Sequence, residues 1–243
     1  MALTLGSGSS DFKINNALTL DEVGEKLISG SADVEFTELL SISNGALSSS
    51  GGEIRFDKGL DLSGGKVEIH NSNIIFGSEP GNEVSLVQTG TAATFDAGSS
   101  SLQLLQNLTL QSNSEMVFQS LDLNSRKLTL VNETSDLSLK NQLILDEASE
   151  KIITGTADLK LEEGIQMSAG EITSTGGTVA LSETSPNLFQ NDAVLELLNT
   201  NLESAGSGES ILTLDEEPNL SMNGGSIDRI TLELSLIHIS EPT

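Results

Sequence analysis

Leu40-Ser-Ile-Ser-Asn-Gly-Ala-Leu-Ser-Ser-Ser-Gly-Gly-Glu-Ile-Arg-Phe56 is followed, twenty residues on, by Leu60-Asp-Leu-Ser-Gly-Gly-Lys-Val-Glu-Ile-His-Asn-Ser-Asn-Ile-Ile-Phe76. Leu40, Ile42, Leu47, Ile54 and Phe56 thus become Leu60, Leu62, Val67, Ile74 and Phe76, and Leu27, Val34 and Phe36 precede them at the same offset. Short Leu-x-Leu pieces recur every six or seven residues, separated by polar turns such as Ser43-Asn44-Gly45 and Ser63-Gly64-Gly65. Alternation over three residues puts both apolar side chains on one side of an extended strand. The rhythm returns at Leu121, Leu123, Leu128 and Leu130, at Leu137, Leu139, Leu143 and Leu145, and at Ile165, Met167, Ile172, Val179 and Leu181. No stretch keeps the three-and-four spacing of a long amphipathic helix.

Three short strands and three tight turns every 20–22 residues make one coil of a parallel β-helix, so the fold class is an all-β solenoid. A single coil cannot bury its inward leucines, but coils stacked about 4.8 Å apart bury a continuous aliphatic column. Residues 1–233 predict one solenoid segment of roughly eleven coils, a rod on the order of 50 Å long. Corners between faces need residues tolerant of positive φ, and the Gly-Gly and Asn-Gly pairs at 44, 51, 64, 176 and 223 fall there. The pattern weakens between Ser78 and Ser101 and between Ser182 and Asp192, which predicts longer loops or bulged coils.

A longer period lies over the short one. Shifting the chain by 125 residues aligns Asp11 to Phe56 with Asp136 to Leu181 without a gap, 18 of 46 positions being identical. The matched blocks include Leu18-Thr-Leu-Asp-Glu22 against Leu143-Ile-Leu-Asp-Glu147, Glu25-Lys26 against Glu150-Lys151, and Gly51-Gly52 against Gly176-Gly177.

Composition narrows the function classes. The apolar residues are nearly all aliphatic, with seven Phe and neither Trp nor Tyr, as a narrow column of stacked Leu, Ile and Val requires. A formal charge of -25 repels nucleic-acid phosphates and anionic membranes, so neither is an expected partner. The absence of cysteine excludes a disulfide scaffold and thiol catalysis. No run is long and apolar enough to span a bilayer, and the first residues show no secretion signal.

Carboxylates are the one abundant chemical group. Leu-x-Leu-Asp-Glu places Asp21-Glu22, Asp146-Glu147 and Asp215-Glu216 just after strands. An active site is one unrepeated cluster, whereas these pairs recur far apart, so they read as solvated corner residues. Lys26 and Lys151 read as corner residues as well. With the tail that holds His238 set aside, His70 is the one histidine, so a triad or metal cluster built on imidazole lacks its partners, and the counterpart of His70 in the related segment Leu195 to Leu202 is Leu198. The Gly-Gly pairs never continue into the nonapeptide of calcium-binding β-rolls, so Ca2+ binding is expected to be weak and diffuse at most. The expectation is therefore no catalytic, cofactor-binding or metal-ligating residue, and no enzyme activity.

In pattern and composition the solenoid portion resembles the stacked-coil passenger regions of bacterial autotransporter-like and filamentous-haemagglutinin-like surface proteins. The resemblance implies a secreted or surface-displayed fibre with a structural or adhesive role, a glycan or protein receptor as partner, and signal and anchor elsewhere in the gene. The alternative is a fragment of a carbohydrate-active β-helix enzyme, which needs a lateral groove where Asp or Glu converge with Lys or Arg. Exposed coil edges also predict end-to-end self-association. The last ten residues, Leu234 to Thr243, resemble a translated transposase-type sequencing adapter; this implies a gene that continues beyond Glu233, and it removes His238 from consideration.

Overall fold

A computed structural model describes residues 1–5, 11–78 and 83–234. Among them every regular element is a strand, every strand pairing is parallel, and the chain winds about ten turns of a three-faced solenoid. Lys26–Gly30, Ala46–Ser49 and Lys66–Ile69 stack on the first face, and Val34–Phe36, Glu53–Phe56 and Asn73–Phe76 on the second. Leu40–Ile42, Leu60–Leu62 and Val84–Gln88 form the third. The strands are short because each Leu-x-Leu piece offers two inward side chains before a turn residue ends it. No helix among the described residues is long and apolar enough to cross a membrane.

The first face runs through eleven strands from Ala2–Thr4 to Ile227–Asp228, and the third through ten from Leu18–Leu20 to Asn219–Asn223. The second joins the first through Thr94–Leu104, an eleven-residue strand that turns the corner while paired on both sides of it. Its place is then taken by a five-stranded sheet from Leu143–Leu145 to Ile230–Leu234. Coil length varies more than the sequence suggests. Leu27 pairs with Leu47 and Leu47 with Val67, twenty residues apart each time, but Val67 pairs with Phe95 at twenty-eight and Leu202 with Ile227 at twenty-five. Longer coils make the count about ten rather than eleven.

The span from Ser78 to Ser101 is the longer, bulged coil its sequence predicts: the coil takes 28 residues, and the long strand Thr94–Leu104 shifts register against Met116–Asp122 between Ala97 and Ser101. The span from Ser182 to Asp192 carries a longer loop as well, residues 182–186 doing what residues 162–164 do one coil before, and Asn187–Gln190 then pairs on both sides. Of the adapter-like tail, only Leu234 lies within the described residues.

The core is the aliphatic column foreseen in the sequence, with Leu40, Leu60, Leu86, Leu108, Leu128 and Ile152 all fully buried along the third face. Phe36, Phe56 and Phe76 stack on the second face with ring centroids 5.4 and 5.1 Å apart, an arrangement worth about 1 kcal/mol per pair beyond burial. Buried hydroxyls line the corners. Ser49 and Ser72 place their Oγ atoms 3.2 Å apart, and Ser100 Oγ donates to the Ile69 carbonyl at 2.8 Å.

The two copies of the 125-residue repeat do not occupy the same faces. Leu18–Leu20 lies on the third face and its counterpart Leu143–Leu145 on the second; Lys26–Gly30 lies on the first and Lys151–Gly155 on the third; Val34–Phe36 lies on the second and Leu159–Leu161 on the first. The repeat therefore advances the rod by five coils and two further faces. Local geometry survives the rotation. Both copies carry a register shift at the end of the same strand, at Ile28/Gly30 and Ile153/Gly155. Both also turn the next-but-one coil corner on a glycine, Gly52 with φ 76° and Gly177 with φ 68°. A Cβ there would stand 2.8 Å from the Ser31 carbonyl oxygen in one copy and 2.6 Å from that of Thr156 in the other, so only glycine fits.

Candidate functional site

The first two acidic pairs, Asp21-Glu22 and Asp146-Glu147, are parts of corners. Glu25 Oε2 accepts hydrogen bonds from the backbone N–H groups of Asp21 and Glu22, at 2.9 and 3.1 Å. Glu150 Oε2 does the same for Asp146 and Glu147, at 2.9 and 3.3 Å. A carboxylate set four residues after the Asp thus gathers the two donors that the turn leaves unpaired. The third occurrence departs from this pattern because Asn219 stands where the closing Glu would be. There the corner turns on Glu216 and Glu217, both left-handed, and Asp215 accepts from Gln190 Nε2 at 3.1 Å. Lys26 and Lys151, read as corner residues, are the first residues of their strands. Lys151 there pairs with Glu171 on the next coil.

His70 works through its backbone. Its N–H donates to the Ser49 carbonyl at 3.0 Å, and its own carbonyl accepts from Ser72 Oγ at 3.0 Å. Asn71 then takes φ 51°. The Leu198 corner is built identically: Asn199 has φ 52°, and Thr200 Oγ1 donates to the Leu198 carbonyl at 3.0 Å. Leucine and histidine interchange because the ring has no part in the turn. Among the described residues no group of three or more His, Asp or Glu side chains is arranged to hold a metal ion.

The groove demanded by the enzyme alternative does exist on the second face. Asp11, Asp33 and Glu53 stand at the entrances of three stacked strands, with Lys13, Glu35 and Arg55 two positions further on, and a furrow of about 320 Å³ lies between the rows. Lys13 Nζ lies 2.7 Å from Glu35, and Arg55 Nε lies 2.8 Å from the buried Asp57. Asp33 Oδ1 accepts the Glu53 N–H at 2.7 Å. Burial, followed by the Asp33 carboxylate, raises the Glu53 carboxyl above its ordinary range. Two neighbouring carboxyls, one of them raised by burial, are the kind of pairing acid/base chemistry uses. Sequence reasoning missed this furrow, although the outward residues at twenty-residue spacing could have shown it.

The repeat supplies a second furrow, of about 290 Å³, one face away. Asp136, Asp158, Lys160, Thr178 and Ala180 line it. Asp11 and Asp33 are kept as Asp136 and Asp158, and Asp136 Oδ1 accepts the Asp158 N–H at 2.8 Å. The other four wall residues all change: Lys13 to Ser138, Glu35 to Lys160, Glu53 to Thr178 and Arg55 to Ala180. Here the chief ionic contact is Glu162, with Lys140 at 2.8 Å and Lys160 at 3.2 Å. Burial pushes the Glu162 carboxyl up, but the bonds and charges of the two lysines more than offset it and leave the group below its ordinary range.

No family model, no curated protein and no solved structure matches the chain.

Proposed function

We propose that the chain is a structural and adhesive segment of a large secreted or surface-displayed bacterial repeat protein, without catalysis. The observation that carries this reading is what the repeat keeps. It keeps the corner residues Asp21, Glu22, Glu25 and Gly52 and the apolar character of the core, while four of the six charged wall residues of the furrow change and only Asp11 and Asp33 stay. Duplication of a binding or catalytic site would retain the opposite set. A flexible glycan or a protein surface, touched by many outward side chains along the rod, is the kind of receptor such a segment meets. The test is binding of the purified chain to immobilised glycans and to intact cell surfaces, with polyuronate and neutral polysaccharide breakdown followed alongside. Saturable binding without turnover supports the proposal.

The second reading, a carbohydrate-active enzyme fragment, is favoured by one feature, the raised Glu53 carboxyl beside Asp33. Polysaccharide turnover that disappears in Glu53→Gln would establish it and overturn the first.

A second copy of the chain is a further proposed partner. Leu3, Phe12, Ile14, Leu18 and Leu27 line an apolar opening of about 280 Å³, beside the strands Ala2–Thr4, Phe12–Ile14 and Leu18–Leu20, each of which has one strand neighbour among the described residues. Because two chains of charge -25 repel, added salt should promote the end-to-end contact. Sedimentation showing monomer at all salt and protein concentrations would refute it.

A further inference from the structure

Asparagine loses its side-chain amide spontaneously when it is exposed, when a glycine follows, and when the glycine N–H is free to give up its proton. The sequence contains two Asn-Gly pairs, Asn44-Gly45 and Asn223-Gly224. The fold separates them. Gly45 is buried and its N–H donates to the Leu20 carbonyl at 3.2 Å, while Asn44 Nδ2 donates to the Asp21 carbonyl at 3.0 Å. Both reacting groups of that pair are held. Asn223 and Gly224 are both exposed, and neither the Asn223 amide nor the Gly224 N–H has a hydrogen-bond partner among the described residues.

The Asn-Ser pairs are guarded like the first. The N–H groups of Ser72 and Ser114 donate to hydroxyls, and the Asn124 amide donates to the Leu104 carbonyl at 3.2 Å.

We propose that Asn223 is a site of spontaneous covalent modification. Gly224 N, its proton given to solvent hydroxide, forms a bond to Asn223 Cγ; the Cγ–Nδ2 bond breaks, and the nitrogen takes a proton from water and leaves as ammonia. Water then adds to either carbonyl of the five-membered imide and opens it to an aspartyl or an isoaspartyl residue at position 223. Either product adds a negative charge. The isoaspartyl form also adds a carbon to the main chain in the pair between Val194–Leu198 and Asn219–Asn223, where the Asn223 carbonyl accepts the Asn199 N–H at 2.8 Å. Conversion therefore loosens that coil, and it does so on a timescale set by chemistry rather than by a partner.

The test is peptide mapping by mass spectrometry of the full chain after incubation in mildly alkaline buffer, folded and in urea. In urea both pairs should convert at comparable rates. In the folded chain Asn223 should convert while Asn44 lags by about tenfold or more, the factor one hydrogen bond of ordinary net strength imposes. Asn223→Ser should remove the main product and leave the melting temperature of fresh protein unchanged. Equal rates at the two sites in the folded chain, or an Asn223 that persists when folded as Asn44 does, would overturn the assignment.

Discussion

Glu25 and Glu150 stand 125 residues apart and close two different corners of the rod with the same pair of hydrogen bonds, Glu25 between the third and first faces and Glu150 between the second and third. Their environments differ, since Glu150 is buried and Glu25 half-exposed. Truncating Glu150 leaves two part-buried backbone donors without their acceptor, so Glu150→Ala should cost about 2 kcal/mol. Glu25→Ala should cost less, because solvent reaches its donors. Chemical denaturation of the two variants checks the order, and an equal or reversed cost would deny the carboxylate its closing role.

The buried hydroxyls allow a paired test. Thr154 is fully buried and its Oγ1 has no hydrogen-bond partner among the described residues, whereas Ser174 Oγ donates to the Gly176 carbonyl at 2.7 Å and lies 2.9 Å from Thr200 Oγ1. Thr154→Val keeps the shape and removes an unsatisfied group, which should stabilise the rod by about 1 kcal/mol. Ser174→Ala should destabilise it by about the same amount. Thermal melts that move both variants in one direction would contradict the hydrogen-bond assignment.

Two carboxyls make opposite contributions to pH dependence. Glu171 sits below its ordinary range, chiefly through the hydrogen bond from Lys151 and then that from Thr173. Its stabilisation is present above the unfolded carboxyl value and is lost as pH falls through the lower folded value. Glu53 sits above its range through burial and then Asp33, so its contribution is present at low pH and is lost as pH rises through the raised value. At pH 7 Glu171→Gln should lower the melting temperature, by the ~0.5 kcal/mol of a partly exposed pair, and Glu53→Gln should raise it. Both differences should vanish in acid once the carboxyls are protonated. For Glu53, a difference that persists below about pH 3 would point to packing rather than charge; for Glu171, whose carboxyl sits lower, the difference should close only at pH values further below the ordinary carboxyl range.

The architecture was legible because inward positions at period two and coils at period twenty leave few alternatives. Leu40, Leu60, Leu47 and Val67 can face only the column. Coil length was less legible. The weak pattern before Ser101 marked an irregular coil, but not that its residues form one long strand: Ala97, Leu102 and Leu104 face inward, and parallel neighbours on both sides hold Thr94–Leu104 extended through the register shift at Ala97/Ser101. The acidic corners were placed correctly as corners, but the role of Glu25 and Glu150 depends on a turn that brings residues four apart together, which spacing alone does not show. The furrow on the second face was missed because its walls come from three coils, and sequence order does not put Asp11, Asp33 and Glu53 in one view.

The turn of the repeat around the axis gives the last prediction. Thr19 and Ile144 are equivalent in the repeat but point outward from the third and second faces, whereas Thr19 and Ile153 both point outward from the third, six strand steps apart. The second pair should lie about 29 Å apart at one strand spacing per coil. The first pair rises less along the axis, yet its separation should be the longer one because it crosses the rod. The chain has no cysteine, so Thr19→Cys combined in turn with Ile144→Cys and Ile153→Cys carries spin labels without background. Pulsed dipolar spectroscopy then decides. A Thr19–Ile144 distance shorter than Thr19–Ile153 would mean that the repeat spans a whole number of coils; the longer distance means that each copy of the repeat is carried five coils and two faces on, so that the same motif looks out from a different side of the rod.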